Sequence, residues 1–250
     1  MRRLLVAIPV YNERPHVRHV VAEVERFVPD VLVVDDGSDD GTTQVVRELR
    51  GIERIFHPEN RGYGQALISA FRHAAAHGYD WLITMDCDEQ HEPAFIPHFV
   101  EAIAADDADI ISGSRYLQRH DGDSSPPADR RRINQVVTEL LNEHLGLRLT
   151  DAFCGFKAYR VAALEKLDID VPGYAMPLQF WVQAADRGLR IREIPVRLIY
   201  NDPNRHFGDG LDDPSQRLSH YLTVFYEELK RAGRTDLGER CSTPGAVGCP

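Results

Sequence analysis

Up to Arg115, short apolar runs rich in Val, Ile and Leu alternate with stretches in which apolar residues recur every three or four positions. The first pattern predicts buried strands and the second predicts amphipathic helices. The predicted strands are residues 4–9, 31–35, 52–57, 81–86 and 109–114, and the predicted helices are residues 15–27, 42–49, 64–77 and 93–104. This alternation is typical of βαβ units, so we expect an α/β fold with a mostly parallel sheet and helices on both faces.

The alternation becomes less regular after Arg115. Residues 118–129 are polar and contain Pro126-Pro127, which predicts a loop over a site. Beyond it we predict helices at 131–145, 178–187 and 214–231 and strands at 156–160 and 191–200. Together these patterns predict a single α/β domain over residues 1–212, a C-terminal amphipathic helix over 213–234 and a disordered, Gly- and Pro-rich tail over 235–250.

Length and charge restrict the classes of function. A chain of 250 residues is long enough for one large domain and too short for two domains of that size. The net charge of −10 argues against nucleic acid as a partner, which needs a basic surface, but does not exclude an anionic small substrate. We find no N-terminal signal and no apolar stretch near the ~20 residues needed to cross a bilayer. The four scattered cysteines favour a reducing cytoplasm.

Polar clusters follow three of the predicted strands. They are residues 9–13, 35–38 and 86–90. Because the carboxyl ends of parallel strands meet at one edge of a doubly wound sheet, where ligands bind, we expect the three clusters to form one site. Of the two aspartates in the second cluster, Asp35 and Asp36, we expect one to cap the following helix and the other to face a nucleotide base or ribose.

The cluster after the fourth strand has the most specific chemistry. In an extended segment alternate side chains face the same way, so Asp86, Asp88 and Gln90 can converge while Cys87 points elsewhere. Oxygen ligands of this kind suit Mg²⁺ or Mn²⁺. Two alternatives stay open: a solvated acidic turn, and a weaker zinc site that uses Cys87 and His91.

Seven segments carry a resemblance to a known family. The first four are residues 8–13 (IPVYNE), 34–42 (VDDGSDDGT), 60–64 (NRGYG) and 85–88 (MDCD), which look like those of family-2 glycosyltransferases with the GT-A (Rossmann-like) fold. The other three are residues 113–116 (GSRY), 151–157 (DAFCGFK) and 188–195 (GLRIREIP), which resemble the polyprenyl-phosphate (dolichol-phosphate) mannosyl- and glucosyltransferase branch. The resemblance runs in order from about residue 4 to residue 200.

The resemblance implies a role for each matching residue. The nucleotide pocket would be lined by Pro9, Tyr11, Glu13, Asp35, Asp36 and Asp86. The Mg²⁺ or Mn²⁺ ion would be held by Asp86, Asp88 and Gln90. Asp88 and Arg115 would be catalytic, with Arg115 near the phosphates, and Arg115, Arg131 and Arg205 would meet an anionic acceptor.

The reaction that the resemblance implies is metal-dependent transfer of a sugar from a GDP- or UDP-sugar to a polyprenyl phosphate, with inversion. Such an acceptor is already ionised near neutrality, so it needs arginines more than a general base. Two departures from the branch leave the acceptor open. Gln179 stands where the branch usually has Glu, and residues 204–208 replace its C-terminal Arg-x-x-Gly-x-Ser-Lys element.

Two other functions remain compatible with the sequence. One is a GT-A enzyme with a soluble, glycan or protein acceptor, in which Asp151 is a candidate catalytic base. The other is a sugar-nucleotide-binding protein without a catalytic role. Membrane contact would be peripheral, at the inner face of the membrane, and could involve helix 214–231. We favour packing of that helix onto the sheet or onto a partner subunit in a homo-oligomer.

Overall fold

The computed structural model describes residues 2–200 and 210–234, which form one α/β domain built on a seven-stranded sheet. The strands are β1 (Leu4–Val10), β2 (Val31–Asp35), β3 (Glu53–Phe56), β4 (Trp81–Thr84), β5 (Ile110–Ser114), β6 (Lys157–Arg160) and β7 (Ile191–Pro195). Their order across the sheet is β3-β2-β1-β4-β6-β5-β7. All neighbours are parallel except that β6 runs antiparallel to β4 and β5. The predicted mostly parallel sheet is therefore confirmed.

The reversal of β6 brings the start of this strand to the end of the sheet where its neighbours finish. Thr84, the last residue of β4, pairs with Lys157, the first residue of β6. Ser112 of β5 pairs with the same lysine. The segment that enters β6 therefore lies beside the segments that leave β4 and β5. We call this end of the sheet the carboxyl end.

Helices cover both faces of the sheet. They are α1 (Val17–Glu25), α2 (Thr42–Glu48), α3 (Tyr63–Ala76), α4 (Ile96–Ala105), α5 (Ala128–Leu145), α6 (Val161–Leu164), α7 (Met176–Asp186) and α8 (Pro214–Arg231). Val6 and Ile8 of β1 pack in one apolar cluster with α1, α2 and α4, whereas Leu5 and Ala7 pack in a second cluster with the other helices. Burial on both faces explains why the strands are continuous apolar runs.

Helix α8 packs onto the domain. Its Tyr221, Phe225 and Leu229 are buried in the cluster that also contains α5 and α7. Glu228 accepts hydrogen bonds from the side-chain amides of Gln179 (3.1 Å) and Gln183 (2.7 Å) on α7. The structure thus supports packing of this helix onto its own domain, which was favoured above over membrane contact. Within residues 2–200 and 210–234, none of the helices is long and apolar enough to span a bilayer.

Some elements end earlier than the sequence pattern predicts. Strand β4 ends at Thr84 instead of residue 86, and the chain then bends. Strand β7 ends at Pro195 instead of residue 200, because its partner β5 ends at Ser114, which pairs with Pro195. Helix α6 was not predicted because four residues are too few to show a helical period. The predicted tail, residues 235–250, lies outside the described residues.

Candidate active site

The loops that leave β1 and β2 at the carboxyl end are bonded to each other. The backbone N–H of Asn12 donates to the Ser38 hydroxyl (2.9 Å). Asn12 and Asp39 exchange two further hydrogen bonds, from Asn12 Nδ2 to Asp39 Oδ1 (2.9 Å) and from the Asp39 N–H to Asn12 Oδ1 (3.0 Å). Asn12 has a φ of 58°, a left-handed conformation in which Asn is enriched. The first two predicted clusters therefore do lie together.

The carboxylate of Asp35 supports this turn. Asp35 is 1% exposed, its Oδ1 accepts the Ser38 N–H (3.1 Å), and its Oδ2 accepts the hydroxyl of Thr43 on α2. One oxygen shapes the turn and the other ties it to the following helix. The helix cap expected from one of the two aspartates is not made by Asp35, because the carboxylate that accepts a backbone N–H at the beginning of α2 is that of Asp40 (from Thr42, 2.8 Å).

Asp36 joins the same turn to the segment that begins α3. Its Oδ1 accepts the N–H of Arg61 (3.0 Å) and its Oδ2 the N–H of Gly62 (2.8 Å). His57 Nδ1 lies 2.5 Å from Asp36 Oδ1, and His57 Nε2 lies 2.9 Å from the Ser69 hydroxyl. His57 was not among the residues predicted at the site, although a polar residue at the end of a predicted strand was a usable signal.

The other residues expected at the nucleotide pocket lie on β1 and the loop that follows it. Pro9 is partly buried, Tyr11 is 44% exposed and Glu13 is 8% exposed. The backbone carbonyl of Glu13 accepts the N–H groups of His16 and Val17, so this residue also fixes the beginning of α1. The exposed ring of Tyr11 offers an aromatic surface of the kind on which bases stack.

The carboxylate of Asp86 is held in place and remains accessible. Its side chain is 27% exposed, and Oδ1 accepts the Tyr63 hydroxyl (2.9 Å). A Cβ at Gly155 would lie 2.6 Å from Oδ2 and 2.8 Å from Oδ1, so the glycine leaves the space that the carboxylate fills. Burial and the charge of Asp86 raise the pKa of Tyr63, which stays a neutral donor. Tyr63 was also missed, although it stands in the quoted segment 60–64.

The segment after Asp86 turns instead of extending. Cys87 is 2% exposed and packs in the apolar core, so it points away from the site as predicted. Asp88 is 9% exposed, and its Oδ1 accepts the N–H of Gln90 (3.1 Å). Glu89 adopts a left-handed φ of 59°. The extended geometry assumed for Asp86, Asp88 and Gln90 is therefore wrong, because a bend at Glu89 breaks the alternation of side chains.

The buried ring of His91 lies beside Asp86. Its Nδ1 accepts the backbone N–H of Asp86 (2.9 Å) and lies 3.8 Å from Asp86 Oδ2. Burial lowers the pKa of His91 to about 4, although the charge of Asp88 opposes this shift, so the ring is neutral near pH 7. In the described part of the chain, no three-ligand group includes Cys87 or His91. The structure thus gives no support to the zinc alternative.

The side chains of this turn suit a divalent cation with oxygen ligands. Asp86 offers a partly exposed carboxylate, Asp88 follows it in the same turn, and Gln90 is partly exposed there. Mg²⁺ is commonly held by one or two carboxylates while phosphate oxygens and waters complete its shell. The absence of a side chain at Gly155 leaves the space that the Asp86 carboxylate occupies in this turn. The residues present therefore fit a Mg²⁺ or Mn²⁺ ion.

A buried ion pair lies where β5 ends and β6 is about to begin. Arg115 donates from Nε and Nη2 to the two oxygens of Asp151 (2.7 and 2.9 Å), and Asp151 has no exposed surface. Asn134 Nδ2 on α5 and the N–H of Phe153 also donate to Asp151 (2.7 and 3.1 Å). Burial alone would raise the pKa of Asp151, but the charge and hydrogen bonds of Arg115 and the hydrogen bond from Asn134 hold it well below its usual range. Such a carboxylate has neither the exposure nor the basicity of a general base.

The ring of Tyr116 lies near two arginines. The guanidinium carbon of Arg131 on α5 is 3.7 Å from the ring centroid, and that of Arg115 is 5.7 Å away. Within residues 2–200 and 210–234, Nη1 of Arg115 makes no hydrogen bond, and the side chain is 17% exposed. Two of the three arginines expected at an acceptor therefore converge. The third, Arg205, lies outside the described residues.

Lys157 is a further charged group that sequence analysis left without a role. It is 4% exposed, its ammonium donates to the carbonyl of Cys154, and it lies 5.5 Å from the centroid of the Trp181 ring. Burial lowers the pKa of Lys157, while the charges of Asp151 and Asp86 act in the opposite direction. Lys157 thus fixes the peptide before Gly155. A lysine that begins an otherwise buried strand was the signal for it.

Comparison with known proteins gives a consistent result. The family model described as "Glycosyl transferase family 2" matches residues 5–168. An undecaprenyl-phosphate mannosyltransferase of Micrococcus luteus is 34% identical over 208 residues, which cover 79% of this chain and 84% of that protein. A polyprenol monophosphomannose synthase of Mycolicibacterium smegmatis is 33% identical over 209 residues, which cover 78% of this chain and 77% of that protein.

Solved structures share the fold. Glucosyl-3-phosphoglycerate synthase of Mycobacterium tuberculosis, in complex with Mn²⁺, uridine diphosphate and phosphoglyceric acid, matches with a TM-score of 0.66 over 93% of this chain and 79% of that one. The sequence identity in that match is 21%. The same enzyme with Mg²⁺ and uridine diphosphate matches with a TM-score of 0.65. The expected GT-A fold is confirmed.

Proposed function

The chain belongs to glycosyl transferase family 2 and is a glycosyltransferase, and from this premise we propose that it transfers mannose from a nucleoside-diphosphate sugar to a polyprenyl phosphate. The names of the two relatives at 33–34% identity support this acceptor and this sugar. The observation that carries the proposal is that a partly exposed carboxylate and a partly exposed guanidinium lie at one end of the sheet. These groups are Asp86 and Arg115, and the buried ring of His91 contacts the first and feels the charge of the second.

In this proposal the first half of the site binds the nucleotide. Tyr11 stacks on the base, while Pro9 and Glu13 line the pocket beside it. Asp35 and Asp36 hold the loops that form the pocket, and Asp36 faces the ribose or base with its remaining lone pair. The support is the network that joins the loops after β1, β2 and β3 and so gives the pocket a fixed shape.

Asp86, Asp88 and Gln90 would hold Mg²⁺ or Mn²⁺ against the diphosphate. When bound, such an ion neutralises the charge that develops on the leaving diphosphate. The chain's own contribution is to fix the ligands in advance. Tyr63 donates to Asp86, His91 accepts the backbone N–H of Asp86, and Glu89 makes the bend that carries Asp88.

The second half of the site binds the acceptor phosphate. Arg115 and Arg131 both lie near the ring of Tyr116 and would bind the phosphate oxygens, which carry negative charge near pH 7. One phosphate oxygen attacks the anomeric carbon, a new carbon–oxygen bond forms, and the bond to the diphosphate breaks on the opposite face, with inversion. No proton has to be removed from an ionised phosphate. We therefore assign Asp151 to positioning Arg115 and not to general-base catalysis.

An exposed apolar side chain lies next to this acceptor site. Leu117 is 44% exposed and follows Arg115 by two residues. An apolar surface beside two arginines matches the chemistry of a lipid phosphate better than that of a soluble sugar phosphate. The enzyme would then work at the inner face of the membrane through peripheral contact.

The test is transfer of radioactive sugar from GDP-mannose, and separately from UDP-glucose, to a polyprenyl phosphate in detergent with Mn²⁺. We expect label in the lipid phase with GDP-mannose. Asp88→Asn should lower kcat by roughly 100-fold or more because stabilisation of the leaving group is lost. Arg131→Ala should raise KM for the lipid phosphate by about 10-fold, the scale of one charge-assisted hydrogen bond. Arg132→Ala, an exposed neighbour on α5, is the matched control and should leave KM unchanged.

Other distributions of the label would contradict the proposal. Label that enters only a soluble phosphate ester, a glycan or a protein would replace the lipid acceptor with one of those classes. Full activity of Asp88→Asn in the presence of a chelator would exclude the role given to the metal. Equal effects of Arg131→Ala and Arg132→Ala would remove Arg131 from the acceptor site.

A further inference from the structure

Three side chains with metal-ligand chemistry meet at the end of the sheet opposite the active site. Glu53 begins β3, which is an edge strand, and His73 and His77 lie at the end of α3. Glu53 Oε2 contacts His73 Nε2, and one ligand atom from each of the three residues lies within 4.8 Å of the others. In the described ranges, 2–200 and 210–234, no other group of three His, Cys, Asp or Glu residues meets at this spacing.

The two histidines occupy the same side of the helix. They are four positions apart in the sequence, which is about one helical turn, and their ring centroids are 3.9 Å apart. His77 Nδ1 lies 2.9 Å from the backbone carbonyl of His73, so this nitrogen carries the proton. The lone pair of a neutral His77 ring is therefore on Nε2. A backbone carbonyl that fixes the tautomer in this way is a common partner of metal-binding histidines.

The carboxylate of Glu53 is also oriented by a second partner. Its Oε1 accepts the hydroxyl of Tyr79 (2.6 Å), while Oε2 faces His73. Partial burial raises the pKa of Glu53, but the hydrogen bonds from Tyr79 and His73 outweigh this and lower the pKa overall. The carboxylate is thus ionised near pH 7. A cationic side chain, Arg3, lies 4.4 Å from the Tyr79 ring and donates to the carbonyls of His77 and Gly78.

We propose that Glu53, His73 and His77 form a second metal site, for a transition-metal ion of the Zn²⁺ class. Two imidazole nitrogens and one carboxylate oxygen suit Zn²⁺, Co²⁺ or Ni²⁺ and do not suit Mg²⁺, which prefers oxygen ligands only. The ion replaces the proton that His73 and Glu53 share, and water fills the remaining position. The side chains of His73 and Glu53 are 13% and 36% exposed and His77 is exposed, so an ion can reach the site from solvent.

The site would fasten the edge strand β3 to α3. The beginning of α3 reaches the active site, since Gly62 and Tyr63 donate to Asp36 and Asp86. An ion bound at the other end of this helix would stabilise the helix against β3 without contacting substrate. The inference does not depend on the identity of the donor or the acceptor.

The experiment is calorimetric titration of the chelator-treated full-length protein with Zn²⁺, followed by thermal unfolding with and without Zn²⁺. The variants are His77→Ala and Glu53→Gln, and the matched control is His19→Ala, which removes an exposed histidine from α1. Wild type and His19→Ala should bind Zn²⁺ equally and show the same rise in Tm. Each of the two variants should bind at least about 10-fold more weakly and lose the rise in Tm.

A second readout separates this site from the aspartates at the active site. Co²⁺ bound to imidazole ligands gives visible absorption bands, which should appear in wild type and in Asp88→Asn but not in His77→Ala. His77 is exposed, so its replacement should leave the fold intact, which circular dichroism checks. Undiminished Zn²⁺ binding by His77→Ala, or the absence of saturable binding by wild type, would overturn the proposal.

Discussion

The two halves of the carboxyl end of the sheet use their carboxylates in different ways. In the half formed by β1, β2 and β3, Asp35 and Asp36 accept hydrogen bonds mainly from backbone N–H groups. In the half formed by β4, β6 and β5, Asp151 is bonded to the guanidinium of Arg115, and Asp86 lies beside His91. The first half fixes the shape of loops, whereas the second half fixes the positions of charges.

This difference predicts how strongly the loss of a carboxylate destabilises the protein in each half. The N–H groups that Asp35 and Asp36 accept belong to Ser38, Arg61 and Gly62, which are partly or fully exposed, so water can replace the carboxylate as their partner when a bond is broken. Breaking a buried ion pair leaves an unpaired charge in a poorly solvated place, which costs more. Substitutions in the second half should therefore destabilise the protein more than comparable substitutions in the first.

The largest effect is expected for Asp151→Asn. The variant leaves the guanidinium of Arg115 buried without a counter-charge, so the free energy of unfolding should fall by about 3–5 kcal/mol. Urea denaturation at pH 7 measures the change. Asp107→Asn is the matched control, since it breaks an exposed pair with Arg192 (side chains 55% and 44% exposed) and should cost no more than about 1 kcal/mol. Equal losses in the two variants would remove the distinction between the two halves.

The same variant makes a prediction about pH. The pKa of Asp151 is lower in the folded state than in the unfolded state, so the unfolded chain takes up the proton first as the pH falls. The stabilisation by Asp151 is complete above its unfolded pKa of about 3.9 and decreases below it. The difference in unfolding free energy between wild type and Asp151→Asn should accordingly narrow below about pH 4. A constant difference down to pH 3 would contradict the lowered pKa.

An intermediate effect is expected for His57→Ala in the first half. Removal of the ring leaves Asp36 and Ser69 without a shared partner, and the free energy of unfolding should fall by about 1–3 kcal/mol. Binding of GDP or UDP with Mn²⁺, measured by calorimetry, should weaken, while KM for the acceptor should not change. Ser69→Ala, which removes only the outer contact, serves as the control. If His57→Ala changed only the KM for the acceptor, His57 would belong to the acceptor half of the site and not to the nucleotide half.

The smallest effect is expected for Asp40→Ala. Asp40 Oδ1 accepts the N–H of Thr42 at the beginning of α2 (2.8 Å), and Oδ2 accepts the N–H of Arg14 (3.2 Å). Loss of a carboxylate from the start of a helix costs about 1 kcal/mol. Thermal unfolding should show this loss relative to Asp121→Ala, which removes an exposed carboxylate. A loss as large as that of Asp151→Asn would contradict the idea that backbone-directed carboxylates are the more replaceable group.

Local patterns were sufficient to predict much of the fold. The strands that enter the core on both faces are apolar runs, so β1, β2 and β5 were predicted to within a residue or two. The meeting of the loops after β1 and β2 followed from parallel strand direction alone. The direction of β6 was not predictable, since its hydrogen bonds to β4 and β5 join residues far apart in the chain.

The details of the site were less predictable because they depend on contacts between distant segments. The bend at Glu89 replaces a geometry that strand periodicity assumed. The role of Asp151 depends on Arg115 and Asn134, neither of which is near it in sequence. His57 becomes significant only when Asp36 and Ser69 lie on either side of it.

Gln179, which stands where the resembling branch usually has Glu, has a physical explanation in the described structure. The residue has no exposed surface, and its Nε2 donates to Asp170 Oδ1 (2.7 Å) and to Glu228 Oε2 (3.1 Å). A glutamate at this position would place a third carboxylate against two others. The amide therefore belongs to the contact between α7 and α8, and it is explained without reference to the acceptor.

The reversed strand β6 also has a consequence for how such enzymes can diverge. Strands in a sheet are spaced by about 4.8 Å, so β4 and β5, on either side of β6, lie roughly 10 Å apart. This gap is set by main-chain hydrogen bonds and not by the identity of any side chain. Related enzymes can therefore exchange the side chains that follow β4 and β5 and so acquire new specificities. The main chain keeps the donor-binding and acceptor-binding segments at a constant separation.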